Sequence, residues 1–513
     1  MQRIAVGRGP LTEADVVAVA RGGAGVHLTP DALDAIDESR KTVEALAHDV
    51  EPHYGISTGF GALATTHIPV DRRAALQRSL IRSHAAGSGP EVEREVVRAM
   101  MLLRLSTLAT GRTGIRPETA STLAALLDAG ITPVVPEYGS LGCSGDLAPL
   151  AHVALALLGE GSVRDAGGAL LPGGEALRAV GIAPVELAEK EGLALINGTD
   201  GMLGQLLLAA HDLDLLLRSA DVAASMSVEA LLGTDRVFAA DLAALRPQPG
   251  QAVAAANMRA LLAGSPIVAS HEGPDCVYVQ DAYSMRCAPQ VAGAARDTLA
   301  HARSVAGYEL ASAVDNPVVT PDGRVESNGN FHGAPIAYVL DFLAIPVADV
   351  ASMSERRTDR MLDVARSRGL PPFLAHDAGV DSGHMIAQYT QASIVAELKR
   401  LAVPASVDSI PSSAMQEDHV SMGWSAARKL RKALDGLRQV LAIELLTAAR
   451  ALDLRAPLLP GPATAAVVAA LRARVDGPGP DRHLSPEIEA AVSFVHAGEA
   501  VEAADAALAE PLG

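Results

Sequence analysis

The stretch TPVVPEYGSLGCSGD, residues 132–146, interrupts a chain that otherwise reads as helix. Pro133 and Pro136 lack the N–H that a helix needs and clash with the preceding turn. Gly139, Gly142 and Gly145 give the backbone a freedom other residues lack. The segment is therefore expected to break the helical pattern, with its chemistry concentrated in Gly142-Cys143-Ser144-Gly145-Asp146. A hydrolase nucleophile elbow requires G-x-S-x-G, and Asp146 in the fifth position breaks that pattern. Taken alone, the string is an ordinary tight turn. A third reading treats the residues as reagents. Gly145 has no Cβ, so its backbone nitrogen can approach the carbonyl carbon of Cys143. Attack would close a five-membered ring, and loss of water from Ser144 would leave an exocyclic methylene. The product would be a strong electrophile of a kind no unmodified side chain provides.

Outward from this loop the pattern is helical. Upstream, Thr12 and Asp15 form a capping box before a short helix. Thr29-Pro30-Asp31 predicts a second helix start, with periodicity running to about Asp49. YGISTGFG (54–61) holds three glycines in eight residues and is expected to be a loop. Helices follow from about Asp71 and from Val92 to Thr110, the latter stopped by Gly111. Downstream, the Gly-rich segment 161–175 predicts a hairpin or surface loop. Long apolar helices then dominate, at 202–218, 289–313, 333–357, 383–402 and 424–450. Several are apolar nearly all round and should lie inside a bundle. DGPGPDRH (476–483) reads as a linker-like loop, and Ser485-Pro486-Glu487 opens a last helix. The expected fold is mainly α, with a long central helical bundle and a smaller, loop-rich N-terminal region. The expected division is 1–200 carrying the loop, 201–475 forming the bundle, and 476–513 as a C-terminal helical segment packed on it. No internal repeat is visible.

Composition narrows the function. Of 513 residues 49% are apolar but only 3% aromatic, which suits helices packed closely on helices. The formal charge of −18 opposes binding to nucleic acid or to an anionic membrane. Cys143, Cys276 and Cys287 show no CxxC spacing and no paired-His motif, which argues against a zinc site or a disulfide framework. The N-terminus lacks a long apolar segment of the signal-peptide kind, and no uncharged apolar stretch is long enough to span a bilayer. A reducing cytoplasm is the simplest expected location.

The longer string GSLGCSGDLAPLAH (139–152) resembles the cofactor-forming motif of the aromatic amino acid lyase family. Those enzymes carry 4-methylideneimidazole-5-one (MIO), usually formed from Ala-Ser-Gly. Cys143 departs from that pattern, but ring closure uses only this residue's carbonyl, and some histidine-specific members carry Cys there. The resemblance extends in order through YGISTGFGALA (54–64), SLIRSHAAGSG (79–89), KEGLALINGTDG (190–201), VQDAYSMRCAPQVAG (279–293), DNPVV (315–319), ESNGNFHG (326–333) and AMQEDHVSMG (414–423). The chain has only 14 aromatic residues, yet Tyr54, Phe60, Tyr283 and Phe331 fall within these strings.

The resemblance implies a fumarase/aspartase-like helical architecture and residue roles. Tyr54 would remove the substrate's β-proton, a step that requires a phenolate. Ser144 would become the electrophilic methylene of an MIO made from Cys143, Ser144 and Gly145. Asn197, otherwise a turn or cap residue, would hydrogen-bond the cofactor or the substrate amine. Gln280, Tyr283 and Arg286 recur at spacings of three, which predicts one helical face. Arg286 would pair with the substrate carboxylate, Tyr283 would orient reacting atoms or assist proton transfer, and Gln280 would support the cofactor region. Phe331 would pack against the cofactor. Glu417 and His84 match the histidine-specific members. A carboxylate can accept from an imidazole N–H, whereas a phenyl ring would leave it unpaired. The implied reaction is non-oxidative elimination of ammonia from L-histidine to trans-urocanate, the first step of histidine degradation. Neither a metal nor a diffusible cofactor is implied. A homotetramer is, with each active site built from more than one subunit. Alternatives are a tyrosine or phenylalanine lyase or aminomutase of the same family, a pyridoxal-phosphate eliminase using Lys190, and a helical scaffold without catalysis.

Overall fold

The computed structural model describes residues 3–513 apart from 50, 60, 64, 272 and 274–278, so Phe60 and Cys276 lie outside the described residues. The fold is mainly helical. Strands are short and form four small sheets among the described residues, one of them parallel (Arg3–Val6 with Gly25–Leu28). The chain divides into two compact units, each made of three segments. The first comprises 1–211, 302–341 and 404–428, and the second 212–301, 342–403 and 429–513. The division at 200 and 475 expected from sequence is a division along the chain, whereas these units interleave along it.

The first unit is organised round the helix Arg94–Ala109, in which every residue from Val96 to Ala109 is buried. Two arginines make that burial tolerable. Arg98 donates to Val19 O at 3.0 Å and Leu127 O at 3.2 Å, carbonyls at the ends of the helices Glu13–Ala20 and Pro117–Asp128. It thereby satisfies acceptors that helix termini leave open. Arg104 donates to Asn197 O at 2.8 Å and Val314 O at 2.9 Å. The helix ends where Gly111 turns at φ +67°, and a Cβ there would lie 2.5 Å from Ala35 O.

Most element starts follow the sequence expectation. Thr12 and Asp15 make the complete capping box. The 161–175 hairpin forms as Ser162–Arg164 paired with Leu170–Pro172. Three readings need correction. The helix Pro30–Ala47 starts at the expected place, but Thr29 makes no side-chain cap bond. Thr29 ends the strand region, its N–H donates to Val6 O at 3.1 Å, and its hydroxyl is buried without a partner. Ser485–His496 is not the last helix, because Gly498 at φ +81° starts another, Glu499–Asp505. Gln280 lies outside the helix Tyr283–Arg286, whose N-cap is Ala282, so the three residues do not share a helical face.

In the second unit, buried charge is paired directly. Arg357 meets both oxygens of Glu444 at 2.5 and 2.8 Å, and Ser227 Oγ donates to the same carboxylate at 2.7 Å. Asp221 Oδ2 accepts from Asn257 at 2.8 Å and from Arg296 at 2.7 Å. The helix Ala334–Leu362 is long and apolar enough to cross a membrane by length and composition, but most of its apolar window is buried. Its N-terminal part, 334–341, belongs to the first unit, where Asp341 accepts from Ser406 N at 2.7 Å.

Candidate active site

In the first unit, three loops distant in sequence meet round Cys143-Ser144-Gly145. Gly142 O accepts from Gly333 N at 3.1 Å and from Ser421 Oγ at 2.8 Å, and Leu141 O accepts from Met422 N at 2.9 Å. On the far side of the triad, Asp146 N donates to Gly198 O at 2.7 Å. Gly145 stands beside Gly198 in an isolated bridge at φ +75°, where a Cβ would lie 2.0 Å from Gly198 O. Only glycine fits this backbone position.

Asp146 completes the anchorage. It is fully buried, and its oxygens accept from Ser140 Oγ at 2.8 Å and Met202 N at 2.8 Å. The second bond caps the start of the helix Asp200–Ala230. Burial pushes the Asp146 carboxyl up to about 7, against the opposing effect of those donors.

A cavity of about 420 Å³ opens on the triad. Tyr54, Cys143, Ser144, Phe331 and Glu417 line it, together with Asn316, Asn328, His332 and His419. The Tyr54 hydroxyl accepts from Gly61 N at 3.2 Å. Cys143 Sγ donates to Glu417 Oε2 at 3.5 Å, and burial beside that carboxylate pushes the thiol up to about 11. The rings of His332 and His419 stack at 5.6 Å. A larger cavity of about 910 Å³ lies against the helix Pro30–Ala47, but it contains neither the triad nor Tyr54.

Asn197 sits just behind the triad, adjacent to Gly198. Its Nδ2 donates to Asn316 O at 2.9 Å, while its buried Oδ1 has no partner. Asn316 is held through Asp315, which accepts from Asn316 N at 2.8 Å and from Lys190 Nζ at 2.6 Å. Lys190 and Asp315 are both completely buried. His84 is not among the lining residues. It ends the helix Arg73–His84, with Nδ1 2.9 Å from Leu80 O. Burial lowers its basicity, and the nearby Glu417 charge acts in the opposite direction.

The structure therefore gathers Tyr54, Cys143, Ser144, Phe331 and Glu417 at one cavity, with Gly145 and Asn197 behind it. Gln280, Tyr283 and Arg286 belong to the second unit, and none lines this cavity. They form their own cluster: Arg286 donates to Gln280 Oε1 at 2.9 Å and lies 4.6 Å from the centre of the Tyr283 ring. Tyr283 is 70% exposed. Sequence reasoning overlooked Asn316, Asn328, His332 and His419. All lie inside the strings DNPVV, ESNGNFHG and AMQEDHVSMG, so the signal was present without a residue-level reason to select them.

The residues fit a ring formed from the triad. The glycine position admits no side chain, and both flanks of the loop are pinned by hydrogen bonds. Such a site defines a helical enzyme scaffold whose reactive groups gather on one constrained loop. The chain belongs to the aromatic amino acid lyase family, whose sequence profile matches residues 11–473. It is 66% identical over 506 residues to the histidine ammonia-lyase of Streptomyces coelicolor, covering 98% of this chain and 99% of that one. Among solved structures, it is similar to a tyrosine aminomutase from Streptomyces globisporus, with a TM-score of 0.94 and 38% identity over 100% of both chains. It is also similar to the histidine ammonia-lyase from Trypanosoma cruzi, with a TM-score of 0.91 and 37% identity over 99% of this chain and 96% of that one.

Proposed function

We propose that this carbon–nitrogen lyase eliminates ammonia from L-histidine to give trans-urocanate. The observation that carries the reading is the placement of Cys143, Ser144, Tyr54 and Glu417 around one cavity. MIO formed from Cys143, Ser144 and Gly145 would supply an electrophile that turns the substrate amine into a leaving group.

The chain's own residues do the rest. Glu417 accepts a hydrogen bond from the imidazole N–H and favours histidine over a substrate with a phenyl ring, which would leave the carboxylate without a donor. Tyr54, oriented by Gly61 N–H, takes the β-proton as the carbon–nitrogen bond breaks. Asn197 Oδ1 is available to an ammonium or amine donor. Phe331 provides an apolar wall, and His84 adds an imidazole near Glu417. Arg286 binds the substrate carboxylate, with Tyr283 and Gln280 beside it. We assign these three to the active site of a neighbouring copy in a homotetramer, a reading supported by the exposure of Tyr283 and the absence of all three from the cavity lining. Lys190 is poorly suited to a Schiff base, because it is sealed from solvent and paired with Asp315.

The test is to supply histidine, tyrosine and phenylalanine separately and follow ammonia and the β-amino products. Histidine alone is expected to react. The intact protein should weigh two waters less than its sequence, and Ser144→Ala should lose both the mass difference and the activity. Turnover of tyrosine or phenylalanine without histidine would overturn the substrate assignment. Full activity in Ser144→Ala would overturn the role of the triad.

A further inference from the structure

Cys143 occupies the position where the chain departs from the family's usual alanine, and its side chain is not needed for ring closure. The thiol is nonetheless placed with care. Cys143 Sγ lies 3.5 Å from Glu417 Oε2, and Ser412 Oγ lies 3.1 Å from the same oxygen. One carboxylate oxygen thus receives two donors, and among the described residues no hydrogen bond reaches Oε1.

The frame holding this contact is closed by backbone bonds. Ser412 N donates to Glu417 O at 2.8 Å, and Glu417 N donates to Ser412 O at 3.3 Å. The intervening Ser413, Ala414 and Met415 all adopt left-handed backbone, an arrangement that costs energy without glycine. Cys143 reaches the frame from a loop 274 residues away. Because burial and Glu417 push the thiol up to about 11, it remains an S–H donor at neutral pH.

We propose that Cys143 is a positioning residue for substrate recognition: its S–H, together with the Ser412 hydroxyl, holds Glu417 Oε2 so that Oε1 faces the imidazole. The proposal rests on Glu417 being the imidazole acceptor. A free glutamate must be ordered when substrate binds, and a carboxylate held beforehand avoids that entropic cost. An alanine at 143 leaves Oε2 with the serine donor alone.

The variants are Cys143→Ala, Cys143→Ser, Glu417→Gln and the double variant Cys143→Ala/Glu417→Gln. Cys143→Ala should still weigh two waters less than its sequence, since Ala-Ser-Gly also closes the ring. Its KM for histidine should rise about fivefold, the size of one ordinary hydrogen bond since a thiol is a weak donor, with little change in kcat. Cys143→Ser, which retains a donor, should recover part of that loss. The double variant should show the KM of Glu417→Gln alone. A second readout is independent of turnover: alkylation of Cys143 by iodoacetamide, quantified by peptide mass over about pH 7 to 10, should shift to lower pH in Glu417→Gln. An unchanged KM in Cys143→Ala, additive effects in the double variant, or an unmoved alkylation profile would overturn the proposal. If the unaltered protein does not consume histidine, the substrate reading fails too. A persisting alkylation shift would then locate the error in the substrate and not in the thiol–carboxylate contact.

Discussion

Glu444 in the second unit is fully buried, and Arg357 and Ser227 together engage both of its oxygens. Glu417 in the first unit is half-buried, and its two described side-chain donors converge on one oxygen. The side chains are chemically identical, yet one is closed by its partners and the other is presented to a cavity. A buried carboxylate whose acceptor positions are filled works as a fixture. A carboxylate held through one oxygen leaves the other open to a further donor. The same contrast separates their surroundings. Glu444 joins regular helices, whereas Glu417 follows Ser413, Ala414 and Met415, all in left-handed conformation.

The comparison can be broken most sharply at the loop. Gly145→Ala places a Cβ against the Gly198 carbonyl at a positive φ, so the triad cannot keep its geometry. Activity is expected to fall by roughly a thousandfold or more, as when a reactive group is removed outright, and the mass should show no loss of two waters. Intact mass and ammonia release would check this, and normal activity would show that the loop tolerates what the backbone geometry forbids on steric grounds.

The fixture should fail differently. Arg357→Ala leaves Glu444 buried without its cation, so unfolding free energy is expected to drop by about 3–5 kcal/mol, read from the urea midpoint. Replacing both partners, as Arg357→Met/Glu444→Leu, should restore most of that loss. If the double variant is as unstable as the single one, the pair does more than neutralise itself.

A further effect is spread over a pH slope. Asp146 rises from 3.8 to about 7, so between those values the folded protein holds a proton that the unfolded chain has released. Its contribution therefore favours folding most at the acid end of this window and declines as pH rises towards 7, after which it levels off. Asp146→Asn should flatten that part of the profile of Tm against pH. An identical slope in both proteins would mean that Asp146 is ionised throughout.

Much of this was legible before the structure. The capping box at Thr12 is a local pattern, and its bonds form as written. Thr29 has the same local signature, but strand pairing through its N–H competes with the cap. Proline and glycine marked 132–146 as a break in the helical pattern, though Thr132–Pro133 and Pro136–Tyr138 within it pair as short strands, and ordered motifs marked Tyr54, Phe331 and Glu417. What stayed hidden depends on contacts distant in sequence. No spacing reveals that Asp146 caps a helix starting at Asp200, or that Lys190 steadies Asn316 through Asp315. The spacing of Gln280, Tyr283 and Arg286 suggested a helix that starts only at Tyr283. Their association comes from a side-chain bond and a cation over a ring instead.

The bond from Ser421 to Gly142 also sets a clock for synthesis. It joins residues 279 positions apart. At about 5–20 residues per second, the ribosome needs roughly 14–56 s after making Gly142 before it makes Ser421. Until then the nascent loop lacks one of the two donors that hold the Gly142 carbonyl, the other being Gly333 N. The bonded frame around the loop is therefore complete only after most of the chain has been made.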